Sequence, residues 1–528
     1  MAKQSELAFE KEANKPQAKD EFAESCRPLA ELLDSVRGIE GFPIDKDDDI
    51  LALSKPPYFT ACPNPYINDF IARYGKPYDA KKDKYKRAPF VADVSEGKND
   101  PIYHAHSYHT KVPHKAIMPF IEHYTEPDDL VFDGFCGTGM TGVAAQILGR
   151  RAILCDLSPA AAFIAYNYNI PVDVEEFQRD AKRILDEVET ECGWMYETLH
   201  TDGKTKGKIH YTVWSDVFLC PYCSNEYVFW AVAVDNAAGE MRDTYQCPHC
   251  NAEITKRQSN RAKINLFDEA IGREITLSKQ VPVLINYSVG KKRYEKTPDQ
   301  ADFDLISTIE EQAIPYWFPT YILPDGYNTE QPKRSHGFTH AHHFYTKRNL
   351  WALSVIKNKD VDFIHSSMLQ RSSKMVKTLM SNYFAQMKGK TIGGWAGTPL
   401  VGTLFIPSIG TEVSPITQLE SRINATIKLQ EFKKQLIVGN VLIGVNSSSE
   451  IANIDSNSLD YIFTDPPFGD NIMYSELNYI WESWLRVHTS NRSEAIINKV
   501  QHKDLYEYKF LMTSCFKEMY RILKPNRW

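Results

Sequence analysis

Short apolar runs, each closed by a turn and followed by a segment of helical periodicity, mark two stretches of this chain as α/β. In the first, Leu130 Val131 Phe132 reads as a strand buried on both faces. The turn Asp133 Gly134 Phe135 Cys136 Gly137 Thr138 Gly139 follows, and Met140 to Leu148 reads as a helix of small and apolar residues. A second strand, Ala152 to Cys155, ends at Asp156, and Pro159 to Tyr166 opens a second helix. Strand, glycine turn, helix, strand, acid is the order of a Rossmann-like half. The alternation returns late in the chain. Asn440 to Val445 and Leu459 to Thr464 predict buried strands, and Leu511, Cys515, Met519 and Ile522 mark one side of a helix that leads to Leu523 Lys524 Pro525.

From Val172 to about Leu436 the rhythm breaks. This stretch holds an amphipathic helix (Phe177, Ala181, Ile184, Leu185, Val188), paired cysteines, basic clusters such as Lys291 Lys292 Arg293, and a Gly/Pro-rich stretch from Gly393 to Gly410. It predicts a large insertion. The first forty residues are rich in Lys, Glu, Ala and Gln and predict helix or a mobile arm. The basic run Lys81 to Arg87 reads as a solvated face, with phosphate contact as the alternative.

A chain of 528 residues, 43% hydrophobic and 24% charged, has material for several domains and excludes a disordered or fibrous protein. With 61 basic against 68 acidic residues, it is not a histone-like coat for nucleic acid, although a local basic cleft is compatible. The sequence has no run of 18 apolar residues and starts with a polar segment, which predicts a cytoplasmic protein with no membrane partner. Four of the ten cysteines form Cys220 Pro221 Tyr222 Cys223 and Cys247 Pro248 His249 Cys250. The spacing Cys-x2-Cys-x23-Cys-x2-Cys is that of a zinc ribbon, whose four thiolates close the coordination shell around a structural Zn2+.

The glycine turn lets backbone approach a ligand, and an acid at the end of the next strand can hold a ribose diol. Asp133 and Asp156 lie 23 residues apart, close to that pattern. An acid inside the turn repels a pyrophosphate but suits a ligand carrying an ammonium and a sulfonium, as S-adenosylmethionine does. The second motif is Thr464 Asp465 Pro466 Pro467 Phe468, at the end of a predicted strand. Two prolines stiffen the loop and remove N–H donors, so the Pro466 carbonyl and the Asp465 carboxylate can both accept from one amino group. Phe468 can stack on a base turned out of a duplex.

Together these residues resemble the DNA amino-methyltransferases, which modify N6 of adenine or N4 of cytosine. Asp133 to Gly139 is similar to that family's cofactor motif and Asp465 to Phe468 to its catalytic tetrapeptide. Tyr108 His109 Thr110 Lys111 Val112 Pro113 is similar to the cofactor-binding element before the turn. Gly469 Asp470 Asn471, Tyr474 to Leu477 and Phe344 to Arg348 resemble large zinc-ribbon-containing members found beside restriction and anti-phage genes.

The resemblance implies an α/β class I S-adenosylmethionine-dependent fold in the motif order called alpha. Its sheet is split by a target-recognition-like insertion containing a zinc ribbon at about 215–255. The implied parts are an N-terminal helical or irregular segment (1–96), a cofactor-binding half (97–171), the insertion (172–438) and a catalytic half (439–528). Thr110, Lys111, Asp133, Phe135, Gly137, Gly139, Asp156 and Asn446 are the implied cofactor residues, with Asn446 and Ser447 standing where the family often has an acid. Asp465, Pro466, Pro467 and Phe468 are the implied catalytic residues, and Cys220, Cys223, Cys247 and Cys250 the metal ligands.

The Asp-Pro-Pro-Phe form favours adenine N6 in double-stranded DNA. Cytosine N4, an RNA amine, or a non-catalytic DNA-binding subunit are the alternatives. No Pro-Cys dipeptide occurs, so the thiolate chemistry of cytosine C5 is excluded. His336, His340, His342 and His343, beside Lys333, Arg334, Lys347 and Arg348, read as a polar surface meeting phosphates, because no neighbouring carboxylate or cysteine completes a second metal site. Arg521 to Pro525 resembles the helix end before a further sheet strand. Its absence predicts a truncated sheet with an uncovered edge, completed by more residues or by a complementary polypeptide. A nuclease of a defence system is the other expected partner.

Overall fold

The computed structural model describes residues 21–94, 99–235, 240–359, 402–434, 436–437 and 439–528. Residues 1–20, within the segment predicted as helix or a mobile arm, and residues 393–401 of the Gly/Pro-rich stretch lie outside the described residues. The chain divides into two compact units, Met1–Gln178 with Asn424–Trp528, and Arg179–Ile423.

The first unit is built on a six-stranded sheet. Its strands are β1 (Ser54–Lys55), β2 (Tyr58–Phe59), β3 (Leu130–Asp133), β4 (Arg151–Asp156), β5 (Val441–Val445) and β6 (Tyr461–Ile462). They lie in the order β1-β2-β5-β4-β3-β6, and the pairs β2/β5, β5/β4, β4/β3 and β3/β6 are parallel. Parallel strands are covered on both faces, which is why β3 and β5 read as unbroken apolar runs and are buried at every position. The helices are α1 (His114–Tyr124), α2 (Met140–Ile147), α3 (Pro159–Asn169), α4 (Tyr474–Leu485) and α5 (Leu505–Ile522). Chain order runs outward from β3 to β4 to β5, then returns to the other side of β3 for β6. The switch point therefore falls between β3 and β6, where doubly wound sheets bind ligands at strand C-termini.

The N-terminal segment belongs to this unit. Leu29, Leu33, Val36, Ile50, Phe59 and Phe70 share one apolar cluster with Phe132, Ile153 and Leu442, and the β1/β2 hairpin extends the sheet beyond β5. For the first forty residues composition suggested helix or a mobile arm, and the described part, residues 21–40, holds the helices Glu21–Ser25 and Leu33–Val36. Lys81 to Arg87 are mostly exposed, in keeping with a solvated face.

Leu523 to Trp528 runs beside β6. Leu523 bridges Leu459 in parallel, Lys524 N–H donates to Leu459 O at 2.9 Å, and Ile462 N–H donates to Trp528 O at 3.0 Å. The expectation of an uncovered edge is corrected along that length, because this tail takes the strand's open backbone groups. Inside the edge, Lys524 Nζ reaches Asp460 Oδ1 at 2.5 Å, both side chains being under a tenth exposed.

The second unit carries a seven-stranded sheet around one long strand, Lys206–Leu219, which pairs antiparallel with Gln280–Val289 and Ile409–Val413. Its contact boundaries fall inside the 172–438 range read from sequence. The histidine cluster lies in this unit and is not a phosphate-facing surface: His336, His340, His342 and His343 are all buried. His342 and His343 Nε2 lie 2.8 and 3.0 Å from Asp268 Oδ2, and His336 Nε2 lies 3.3 Å from Asp216 Oδ1. Asp268 is a carboxylate that sequence neighbours could not reveal, 74 residues before His342. His343 Nδ1 accepts the Thr339 N–H at 3.1 Å, so Nε2 carries the ring proton and donates to Asp268. That pattern is a hydrogen-bonded clamp, and its Asp268, His342 and His343 ligand atoms lie within 4.8 Å of one another, so the carboxylate that the sequence neighbours lacked is supplied from a distance.

Candidate active site

The glycine turn departs from β3 and the tetrapeptide from β6, two adjacent parallel strands. Pairing continues past the β6 ladder, with Phe463 N–H donating to Phe132 O at 3.1 Å, so Asp465 emerges beside the turn. One cavity, with about 700 Å³ of space including its open mouth, is lined by Gly134, Phe135 and Gly137 on one side and by Asp465 and Pro467 on another. The two motifs are more than 300 residues apart in the chain and share one pocket.

Of the sequence-predicted residues, Thr110, Phe135, Gly137, Asp156, Asn446, Asp465 and Pro467 line it. Asp133, Gly139, Lys111, Pro466 and Phe468 do not. Asp133 is buried and holds the turn instead, its carboxylate accepting from Phe135 N–H at 3.1 Å and from the Thr141 hydroxyl at 2.5 Å. Burial, reinforced by the nearby Asp156 charge, raises its pKa to about 7. Gly139 sits at φ 73° at the start of α2, where a Cβ would lie 2.6 Å from Asn169 Nδ2. It serves close packing of α2 on α3. Gly134 has a similar constraint, since a Cβ there would meet Ser448 Oγ at 2.4 Å.

Lys111 turns away from the cavity. Its ammonium donates to the carbonyls of Tyr103 and, at 2.7 Å, His106, and lies 4.2 Å from the Tyr103 ring centroid. Burial lowers its pKa to about 7. Thr110, its neighbour, faces in and bonds the Tyr474 hydroxyl at 2.8 Å.

Asp156 ends β4 and shapes the turn from the next strand, accepting from Gly137 N–H at 2.8 Å and Ser158 N–H at 3.0 Å. Burial raises its pKa to about 6. Asn446 ends β5 fully buried in the cavity wall. Its Nδ2 donates to Ser447 O at 3.2 Å, while its Oδ1 has no hydrogen-bond partner among the described residues. A buried acceptor left open in a ligand cavity costs free energy until something donates to it. Asn446 is the residue that stands where the resemblance led us to look for an acid.

The tetrapeptide is pinned from outside. Pro467 O accepts from the Tyr508 hydroxyl of α5 at 2.9 Å, and Gly469 O accepts from Ile497 N–H at 3.1 Å. Phe468 is 66% exposed, an aromatic ring held in solvent at the end of a buried strand. Partial burial raises the Asp465 pKa.

Sequence reasoning missed the far wall, which comes from Tyr474 and Ser475 on α4 and from Thr489, Ser493 and Glu494 in the segment after it. Tyr474 and Ser475 were noted only as part of a resemblance, and Thr489, Ser493 and Glu494 had no signal, because polar residues in an irregular segment carry no periodicity. The lining contains three carboxylates, Asp156, Asp465 and Glu494, and no lysine, arginine or histidine among the described residues. Such a wall disfavours phosphate-bearing cofactors and suits a cationic one.

The paired cysteines form two like knuckles in the second unit. Ser224 N–H donates to Cys220 O and Asn251 N–H to Cys247 O, each at 2.9 Å, with Ser224 and Asn251 both at φ 59°. The Cys220–Cys250 and Cys223–Cys247 sulfur distances are both 3.8 Å. Four zinc–sulfur bonds of ~2.3 Å at tetrahedral angles place sulfurs about 3.8 Å apart, whereas a disulfide needs ~2.0 Å. All four sulfurs lie within 4.8 Å of one another, so the set fits a tetrathiolate ion. His249 stands aside, its Nε2 2.9 Å from Glu226 O.

No helix among the described residues is long and apolar enough to cross a membrane. Neither curated proteins nor solved structures gave a match to this chain. Residues 4–167 match the model of a family described as DNA methylase. The matched stretch runs from the N-terminal segment through β4 and into α3, and includes the glycine turn and Asp156. Over residues 4–167, therefore, this chain is similar to the DNA methylase family, the DNA amino-methyltransferases.

Proposed function

We propose that this protein transfers a methyl group from S-adenosylmethionine to N6 of adenine in DNA. The observation that carries the reading is the single cation-free cavity onto which the glycine turn of β3 and the proline-stiffened loop of β6 both open. Bound there, the cofactor supplies an electrophilic methyl on a positively charged sulfur.

The protein's part is placement. Asp156 offers carboxylate oxygens to a ribose diol, and Asn446 Oδ1 offers an acceptor to an adenine amine. Asp465 accepts a hydrogen bond from the target amine, stabilises the positive charge that grows on its nitrogen as the N–C bond forms and the methyl–sulfur bond breaks, and is placed to take the proton that the nitrogen then sheds. Pro466 and Pro467 present no N–H that would compete for the Asp465 carboxylate. Phe468 offers an exposed face on which an extruded base can stack. Holding both reactants in one cavity replaces a bimolecular encounter with an oriented one, the largest contribution a rigid loop can make.

The test is transfer of labelled methyl to duplex DNA, with structured RNA assayed in parallel, followed by identification of the modified base. Asp465→Ala should lower turnover by at least a hundredfold while cofactor binding persists. Undiminished transfer in that variant would overturn the role of Asp465, and label confined to RNA or to cytosine would overturn the substrate.

A further inference from the structure

α4 ends at Leu485, the next residue, Arg486, turns the chain back at a φ of 64°, and residues 487–498 then run along the cavity as a strap. One end is tied to the N-terminal segment. Ile44 N–H donates to His488 O at 3.0 Å, and His488 Nδ1 lies 2.7 Å from Asp45 Oδ2. The other end is tied to the tetrapeptide loop through Ile497 N–H and Gly469 O, at 3.1 Å. Lys503 Nζ grips the middle, donating to Asn491 O at 2.6 Å and Glu494 O at 2.7 Å.

Within the strap, Glu494 is 5% exposed, and its carboxylate crosses to α4. It accepts from Ser475 N–H at 2.9 Å, the Ser475 hydroxyl at 2.5 Å and Gln501 Nε2 at 3.2 Å. The first turn of α4 needs such an acceptor, since its own N-cap, Met473, makes no side-chain bond. Tyr474, next to the capped residue, bonds Thr110 and stacks on Tyr108 with ring centroids 6.3 Å apart. One carboxylate thus joins the wall on the Thr110 side to the strap that holds the tetrapeptide loop.

We propose that Glu494 is a positioning residue for cofactor binding, acting by capping α4 and so holding Tyr474 against Thr110 and Tyr108. This rests on the reading of the cavity as an S-adenosylmethionine site. The experiment is calorimetric titration of S-adenosylmethionine into the full chain and into Glu494→Ala, Glu494→Gln, Tyr474→Phe and the Glu494→Ala/Tyr474→Phe double variant. Glu494→Ala should raise Kd about tenfold. Glu494→Gln, which keeps an acceptor for Ser475 N–H, should recover most of that loss, and the double variant should bind no more than about twofold more weakly than Glu494→Ala.

Equal weakening by Ala and Gln would overturn the proposal in favour of direct charge contact, and additive losses in the double variant would overturn the route through Tyr474. If Glu494→Ala does not fold, Gln501→Ala decides: a rise of about threefold supports the cap, and an unchanged Kd overturns it. A wild-type chain that binds no S-adenosylmethionine would sink the cofactor reading itself. Wild-type binding with an unaffected Glu494→Ala would sink only the role of Glu494.

Discussion

Asp133 and Asp156 flank the same glycine turn but do different work, and pH should separate them. Burial raises both pKa values, to about 7 and about 6. The folded chain therefore keeps the Asp133 proton to higher pH than the unfolded chain does, and stability should fall as pH rises from about 4 to about 7. The expected loss is on the order of 4 kcal/mol for three units. Asp133→Asn, which keeps an acceptor for Phe135 N–H, should flatten that slope in chemical denaturation series. Asp156 instead lines the cavity, where under the proposed function its ionised form would accept from ligand hydroxyls. S-adenosylmethionine binding should tighten as pH rises through about 6, and Asp156→Asn should weaken binding at pH 8 and remove the titration.

At the scale of elements, the two knuckles and the β6 edge each depend on one arrangement of charge. The knuckles place four sulfurs at zinc spacing, with Cys220 and Cys247 packed into an apolar cluster beside Phe218, Tyr227, Phe229, Tyr245 and Ile254. Purified protein should carry one zinc per chain by elemental analysis. Cys220→Ser or Cys247→Ser should abolish it and open the 220–255 region to protease, with metal removal at acid pH doing the same. At the edge, the Lys524–Asp460 pair is almost wholly buried. Lys524→Met leaves the Asp460 carboxylate without its ammonium and should destabilise the first unit by about 3–5 kcal/mol, measured by urea unfolding. The paired change Lys524→Met/Asp460→Leu should recover part of that loss.

For the whole molecule, much of the first unit was legible because parallel strands advertise themselves. β3, β4 and β5 are buried on both faces, and their apolar runs lie within a residue or so of the observed bounds. The β1/β2 hairpin escaped notice, since two-residue strands carry no period. The buried state of the histidines was equally hidden, because their partners Asp216 and Asp268 lie far off in sequence. Among the candidate residues named from their chemistry, Asp465 and Asp156 line the cavity and the four cysteines lie together. Lys111 does not line it. An ammonium beside a cofactor element looks like a ligand contact, and only the fold revealed that backbone carbonyls claim it first.

The sequence by itself determined the strand and helix identities around residues 130–166, the turn and tetrapeptide types, and the thiolate spacing. All of these are local consequences of residue chemistry and period. Tertiary structure alone decided that β6 returns to the far side of β3, so that loops more than 300 residues apart open onto one cavity. It also decided which polar groups face that cavity and which are consumed in holding it. Hydrogen-bond partners and burial are set by which elements become neighbours, and one residue's type carries no record of its neighbour across the fold.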